Sequence, residues 1–256
     1  RTQRPSLVTI DARALQKDSG AINQIMSETP LPLLLLVDAN QSQNDAAVVE
    51  ALRQGVLSVA TKPANFSPGE LADLCGQIRA LAKIPVVRHP SASRPRPQRP
   101  LTIPPSPPPK PVPNPLLRKV RPEVVGIGSS AGGPQAMTEL LSSLPSDFPG
   151  CILVVQHLPR GFAPPFAEFL RAGSSRPVHI AEAGQKLVEG QILLAPDDAH
   201  LVVENKGYVG LSQAAPVQGH RPSVDMLLRS LARGYGSSAV GVLLSGIGSD
   251  GTAGLS

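Results

Sequence analysis

The run Glu123-Val124-Val125-Gly126-Ile127-Gly128-Ser129-Ser130-Ala131-Gly132-Gly133-Pro134 passes from one kind of backbone to another. Val124, Val125 and Ile127 form a short apolar stretch suited to a buried strand. Gly128 to Gly133 is too glycine-rich to continue a sheet or to open a helix unaided. Pro134 pre-sets the dihedral of a first helical turn. Met137, Leu140, Leu141 and Leu144 then recur at i, i+3, i+4 and i+7, one apolar helix face. The reading is a strand, a tight turn and a helix, with two serines at the turn.

Three chemistries fit such a turn. Gly126 to Ala131 matches the dinucleotide pattern G-x-G-x-x-[GA]. Gly128 to Gly132 also matches G-x-S-x-G, the turn that lifts a nucleophilic serine above a sheet. A glycine turn can equally hold an anion or be merely structural. A dinucleotide site needs an acidic residue at the end of the next strand to hold a ribose. That strand, Ile152 to Val155, ends instead in Gln156-His157-Leu158-Pro159. A histidine beside a turn serine is the pairing that general-base activation of a hydroxyl requires.

At 256 residues the chain allows one large or two modest domains, by the prior of about 100–200 residues each. Cys75 and Cys151 both sit in apolar surroundings and read as core thiols of a reducing compartment, with no metal framework. The longest apolar run, Leu33 to Val37, is far too short to span a membrane, so no membrane insertion is expected. The chain opens on Arg1 and closes soon after a strand and a turn, so both ends are expected to be cut.

The net charge of +5 points to nucleic acid only until it is located. Residues 90–122 hold seven basic side chains and no acidic one, and the remaining basic residues are outnumbered by the 19 acidic ones. The same segment carries 13 of the 29 prolines, so it reads as an extended linker rather than a folded basic patch. Interleaved aromatics, the mark of single-strand binding, are absent, and no nucleic-acid partner is expected.

Before the linker, Leu7 to Ile10 reads as a strand ending at Asp11, and Leu33 to Val37 as a second. Val48, Val49 and Leu52 share a helix face closed by Gly55, and Val56 to Ala60 is a third strand. Ser67-Pro68-Gly69-Glu70 is a capping box opening a helix whose buried side is Leu71, Leu74, Ile78 and Leu81. Short apolar strands alternating with helices imply a parallel α/β sheet. Asp11 and Lys62 each follow a strand C-terminus, where open α/β sheets build their sites. With Thr61-Lys62-Pro63, this order resembles the later part of a response-regulator receiver domain. The resemblance implies Asp11 as phosphoacceptor, Lys62 as its phosphate contact, Mg²⁺ as the ion of phosphorylation and a sensor histidine kinase as phosphodonor. The acidic pair that holds magnesium in that family belongs to a first strand not seen here, and the position of the switch hydroxyl falls near Val37-Asp38, where no Ser or Thr stands.

After the linker, Val178 to Ile180, Ile192 to Leu194 and Leu201 to Val203 read as short strands. Ser223 is the N-cap of a helix with Val224, Leu227, Leu228 and Leu231 inward and Gly234 after its end. Val240 to Leu244 reads as a final buried strand running into Ser245-Gly246-Ile247-Gly248-Ser249-Asp250-Gly251. Ser130, His157 and Asp250 thus all lie at strand C-termini, and a triad is defined by geometry and role rather than chain order. Asp197, Asp198 and His200 are too few and too irregular to argue for a metal site.

Five motifs now stand in order: residues 128–133, Gln156-His157-Leu158-Pro159, residues 195–200, His220-Arg221-Pro222-Ser223-Val224-Asp225, and residues 246–251. Together they resemble the chemotaxis response regulator protein-glutamate methylesterase family, a receiver joined by a linker to a serine-hydrolase domain. The resemblance implies residues 1–88 as an N-terminally incomplete receiver-like, flavodoxin-like domain, 89–122 as linker, and 123–256 as a doubly wound, Rossmann-like α/β catalytic domain, C-terminally incomplete. It places the triad on Ser130, His157 and Asp250 and an oxyanion-hole donor at Ile247. It implies hydrolysis of glutamate γ-methyl esters on chemoreceptor cytoplasmic helices, possible glutamine deamidation, no cofactor for hydrolysis and a cytoplasmic location. Two rivals stay open: a non-catalytic receiver-type signalling module, and a dinucleotide-binding oxidoreductase.

Overall fold

The computed structural model describes residues 5–15, 18, 20–38, 46–86, 122–145 and 147–256. The expected linker, apart from Pro122, lies outside the described residues. The N-terminal part is a three-stranded parallel sheet in the order β1-β2-β3, with β1 Val8–Asp11, β2 Leu33–Val37 and β3 Ser58–Thr61. Around it lie α1 Ala12–Leu15, α2 Ala21–Glu28, α3 Ala46–Arg53 and α4 Pro68–Leu81. β3 begins two residues later than the apolar run suggested, because Gly55 at φ +104 and the Val56 amide first close α3. The capping box forms in full: Ser67 Oγ accepts from the Glu70 amide while the Glu70 carboxylate accepts from the Ser67 amide.

Two expectations for α4 fail. Only Leu81 of its apolar face is buried; Leu71 is exposed, and Leu74 and Ile78 are half-covered against Leu34 and Ala60. Cys75 is exposed as well, because it lies off the stripe that meets the sheet. Cys151 is the core thiol that was expected, and burial pushes it up to about 11.

The C-terminal part is a five-stranded all-parallel sheet in the order β10-β4-β5-β7-β6. Its strands are β4 Val124–Ser129, β5 Cys151–Gln156, β6 Val178–Ile180, β7 Ile192–Leu194 and β10 Ala239–Leu243. Alternation along β4 sends Val125 and Ile127 toward α5 Gly133–Ser143 and α6 Ala163–Gly173. Val124 faces the other way, with Gly126 and Gly128, toward α7 Val224–Tyr235. An antiparallel hairpin of β8 His200–Val203 and β9 Val209–Ser212, the latter not foreseen, packs beside α7. The chain closes on α8 Thr252–Leu255.

The two glycines of β4 explain how close α7 lies. A Cβ at Gly126 would stand 2.4 Å from Leu231 Cδ1, and one at Gly128 would stand 2.1 Å from Val224 Cγ1. They make room for a helix. β10 is not the buried strand expected, since it is the sheet's edge and leaves Val240 and Leu243 exposed. α7 also runs through Gly234 and stops at Gly236, whose φ of +50 turns the chain.

The two parts share a core. α3 packs on α5 and α6, so one apolar cluster runs from Leu35 and Leu52 to Met137 and Phe166. Gln135 Nε2 donates to the Leu52 and Val56 carbonyls at 3.0 and 2.8 Å, and the Gly132 amide donates to Leu57 O at 2.8 Å.

Candidate active site

Three adjacent strands, β10, β4 and β5, end at one edge of the larger sheet. Ser130 follows β4, His157 follows β5, and Asp250 lies in the turn after β10. Gly132, at φ +73, lets the chain reverse from β4 into α5, a conformation L side chains rarely adopt. Buried Gln156 braces this turn: Ser129 Oγ donates to its Oε1 at 2.6 Å, and its Nε2 donates to the Ser130 carbonyl at 2.8 Å. Ser129 is therefore a bracing residue, while Ser130, His157 and Asp250 line one cavity of about 100 Å³.

His157 Nε2 lies 2.9 Å from Asp250 Oδ2. Its Nδ1 is buried with no hydrogen-bond partner among the described residues. Relative to the familiar triad, in which Nε2 serves the nucleophile, the ring presents its nitrogens in the opposite sense. Burial alone would raise the Asp250 carboxyl. Hydrogen bonds from His157, the Asp225 and Val224 amides and the Ser223 hydroxyl outweigh it and hold the group well below the ordinary range. Asp250 is therefore a carboxylate whenever the fold is intact at neutral pH.

Against the other face of His157 lies His220, its ring 3.7 Å away and 5° from parallel. Burial, then the neighbouring His157, keeps His220 below its usual value and hence neutral at pH 7. Nothing in the chain alone points to this contact, since stacking across such a sequence separation leaves no local signal.

The backbone of Ile247 lies beside the site, and the residue lines the same cavity as Ser130. The Ser130 amide is already committed to Ser245 O at 3.0 Å. Asp197, Asp198 and His200 do not converge on a metal: Asp198 pairs with Arg160, and His200 Nδ1 accepts from the Ser223 amide.

At the C-terminal edge of the smaller sheet, Lys62 Nζ bridges Asp11 Oδ2 at 2.7 Å and Asp38 Oδ1 at 2.9 Å. Arg13 pairs with both carboxylates as well. Hydrogen bonds from Arg13 and then Lys62 hold the Asp11 carboxyl well below its usual range. Asp38, which stands where the switch hydroxyl was sought, was missed as a member of this cluster. The donor set does not fit Mg²⁺. The neighbours of Asp11 are cations, and among the described residues no three His, Cys, Asp or Glu side chains could hold a metal.

A family model described as CheB methylesterase matches residues 125–256. Protein-glutamate methylesterase/protein-glutamine glutaminase 4 of Myxococcus xanthus is 41% identical over 257 residues, covering 98% of this chain and 70% of the relative. The chain belongs to the CheB methylesterase family. The protein-glutamate methylesterase/protein-glutamine glutaminase of Nitrosospira multiformis is 34% identical, with the same coverage. The solved CheB methylesterase catalytic domain of Thermotoga maritima shares 38% identity and a TM-score of 0.50, covering 52% of this chain and 72% of that one. CheB membership favours neither the dinucleotide-binding oxidoreductase nor the non-catalytic module. The geometry agrees on the first, since Gly126 and Gly128 face α7 rather than an open phosphate site.

Proposed function

We propose that this CheB methylesterase chain hydrolyses glutamate γ-methyl esters on the cytoplasmic helices of chemoreceptors, and deamidates glutamine there, through Ser130, His157 and Asp250. The observation that carries the reading is the imidazole of His157, with one nitrogen on Asp250 and the other buried without a partner among the described residues, lining the same cavity as Ser130. His157 Nδ1 takes the Ser130 hydroxyl proton as Oγ attacks the ester carbonyl. Asp250 holds the Nε2 proton and stabilises the imidazolium that forms. The Ile247 amide supports the oxyanion, aided by the positive end of the α5 dipole. As the C–O bond breaks, the imidazolium returns its proton to the departing methoxide and methanol leaves. Water, deprotonated by His157, then cleaves the acyl-enzyme, releasing the glutamate carboxyl and restoring the serine. A primary amide follows the same route with ammonia as the leaving group. None of these steps calls for a cofactor.

Residues 1–88 act in this reading as a receiver-like domain that governs access, with 89–122 as the linker and a sensor histidine kinase as phosphodonor to Asp11. In support, a cleft of about 710 Å³ is lined by Ser58 to Ala64 on one side and by Ser130, His157 and His220 on the other. Lys62 belongs to both the Asp11 cluster and that cleft, so a phosphoryl group drawing on Lys62 would act at the cleft wall. No step is routed through magnesium. Among the described residues no helix is long and apolar enough to cross a membrane.

The test is methanol release from methylated receptor. Ser130→Ala lowers turnover by about 10⁶-fold, as removal of such a nucleophile does. Release near the parental rate from correctly folded Ser130→Ala refutes the assignment.

A further inference from the structure

The carboxylate of Asp250 is held almost wholly by the start of α7. Ser223 Oγ donates to Oδ1 at 2.8 Å, the Val224 amide to Oδ2 at 2.8 Å, and the Asp225 amide to Oδ1 at 3.0 Å. With His157 Nε2 as the fourth donor, both oxygens are fixed in place. The grip is reciprocal. Asp225 Oδ1 accepts from the Gly251 amide at 2.9 Å and the Gly254 amide at 2.7 Å, so the segment after Asp250 is tied back to the same helix.

Ser223 is in turn fixed from behind. Its amide donates to Nδ1 of His200 at 3.1 Å. The opposite nitrogen of that ring lies 3.3 Å from the Ala215 carbonyl, a group that can only accept. Together these partners require the neutral tautomer with the proton on Nε2. Both Ser223 and His200 are 0% exposed, so neither bond is exchanged with water. Ser223 Oγ also accepts from the Met226 amide at 3.3 Å, which makes it the helix N-cap. One hydroxyl therefore starts α7 and orients the carboxylate.

We propose that Ser223, backed by His200, is a positioning residue of the ester-hydrolysing site, acting on His157 through Asp250. The proposal rests on the triad reading above. A carboxylate missing one buried donor rotates toward the remaining three, and the imidazole it orients leaves the line to Ser130. Ground-state binding of the receptor segment does not involve Ser223, so the effect falls on kcat and leaves KM alone.

Glycine separates the two roles of the hydroxyl, because it substitutes for serine at an N-cap at little cost to the helix but donates nothing to Asp250. Methanol release by Ser223→Gly is expected to show kcat reduced by roughly 10- to 100-fold, the scale of one hydrogen bond to a charged group, with KM within about twofold. Ser223→Thr restores the hydroxyl and most of kcat. His200→Phe keeps the ring shape but removes the acceptor behind Ser223, lowers kcat in the same direction, and serves if the glycine variant does not fold. A parental kcat in folded Ser223→Gly, or in folded His200→Phe where the glycine variant fails to fold, overturns the proposal. So does a loss in Ser223→Gly shared equally by KM. Ser130→Ala runs alongside: activity surviving there refutes the triad itself, whereas its loss with unimpaired Ser223→Gly removes only the positioning role.

Discussion

His220 shows how one side chain can tie stability to the chemistry beside it. Its neutral form is favoured in the fold by burial and by His157, while Asp250 pulls the other way. The folded value lies below the unfolded one, so the unfolded chain binds the proton more readily. Stability from this residue is therefore complete above the unfolded value of 6.5 and is lost as pH falls below it. Asp250, also depressed, adds a loss of the same sign at lower pH, beginning near the ordinary carboxylate range. Phenylalanine keeps the stacked ring without the titration. His220→Phe is expected to lose less stability than the parent between about pH 7 and 5, measured by denaturant midpoints. Identical pH slopes in the two proteins would show that the stack carries no proton linkage.

At the scale of elements, the contact between β4 and α7 sets the site. Gly128 places the Val224 side chain directly on the strand backbone, and Val224 is the residue whose amide holds Asp250. Gly128→Ala must push α7 outward, because the new Cβ falls 2.1 Å from a branched, fully packed side chain. Overpacking of this kind costs about 1–3 kcal/mol. Thermal unfolding should show that loss, and methanol release should fall further than stability alone explains, since Asp250 moves with the helix. Substitution at Gly184, φ +74 with no atom within 4 Å of a Cβ, carries backbone strain without overpacking and is the control. A Gly128→Ala variant with parental melting and parental turnover contradicts this account of the glycines.

At the scale of the whole molecule, the smaller sheet and the larger one meet beside the serine turn. Gln135 holds two carbonyls of the N-terminal part, and each such bond contributes about 1 kcal/mol. If the cleft limits access, Gln135→Ala loosens the docking and raises basal methanol release severalfold with no change in the catalytic residues. A fall, or no change, argues that the N-terminal part does not restrict the site. The Asp11 cluster makes a companion test. A small phosphodonor should speed methanol release, and Asp11→Asn should abolish that response. Equal responses from both proteins, or from neither, would make the N-terminal part a docking module rather than a switch.

Local patterns in the chain were enough to set most of the elements, though not α2 or β9, and the edge on which the site stands. Strand, glycine turn and helix are local patterns, and so Ser130, His157 and Asp250 could be set at strand C-termini before any contact was known. The capping box at Ser67 and the N-cap at Ser223 were legible for the same reason, each depending on residues three apart. Five motifs in order carried the family. What they could not carry was long-range geometry. That α7 grips Asp250, that His220 stacks on His157 and that Asp38 shares Lys62 all depend on which strand ends become neighbours. The same cause hid the exposed β10 edge and the open side of α4, whose apolar residues read as buried because periodicity reports a face and not what covers it. The purpose of Gly126 and Gly128 turned on this too: a dinucleotide turn and a helix-packing groove share a pattern, and only the packing of Val224, so close that a Cβ at Gly128 would lie 2.1 Å from it, distinguishes them.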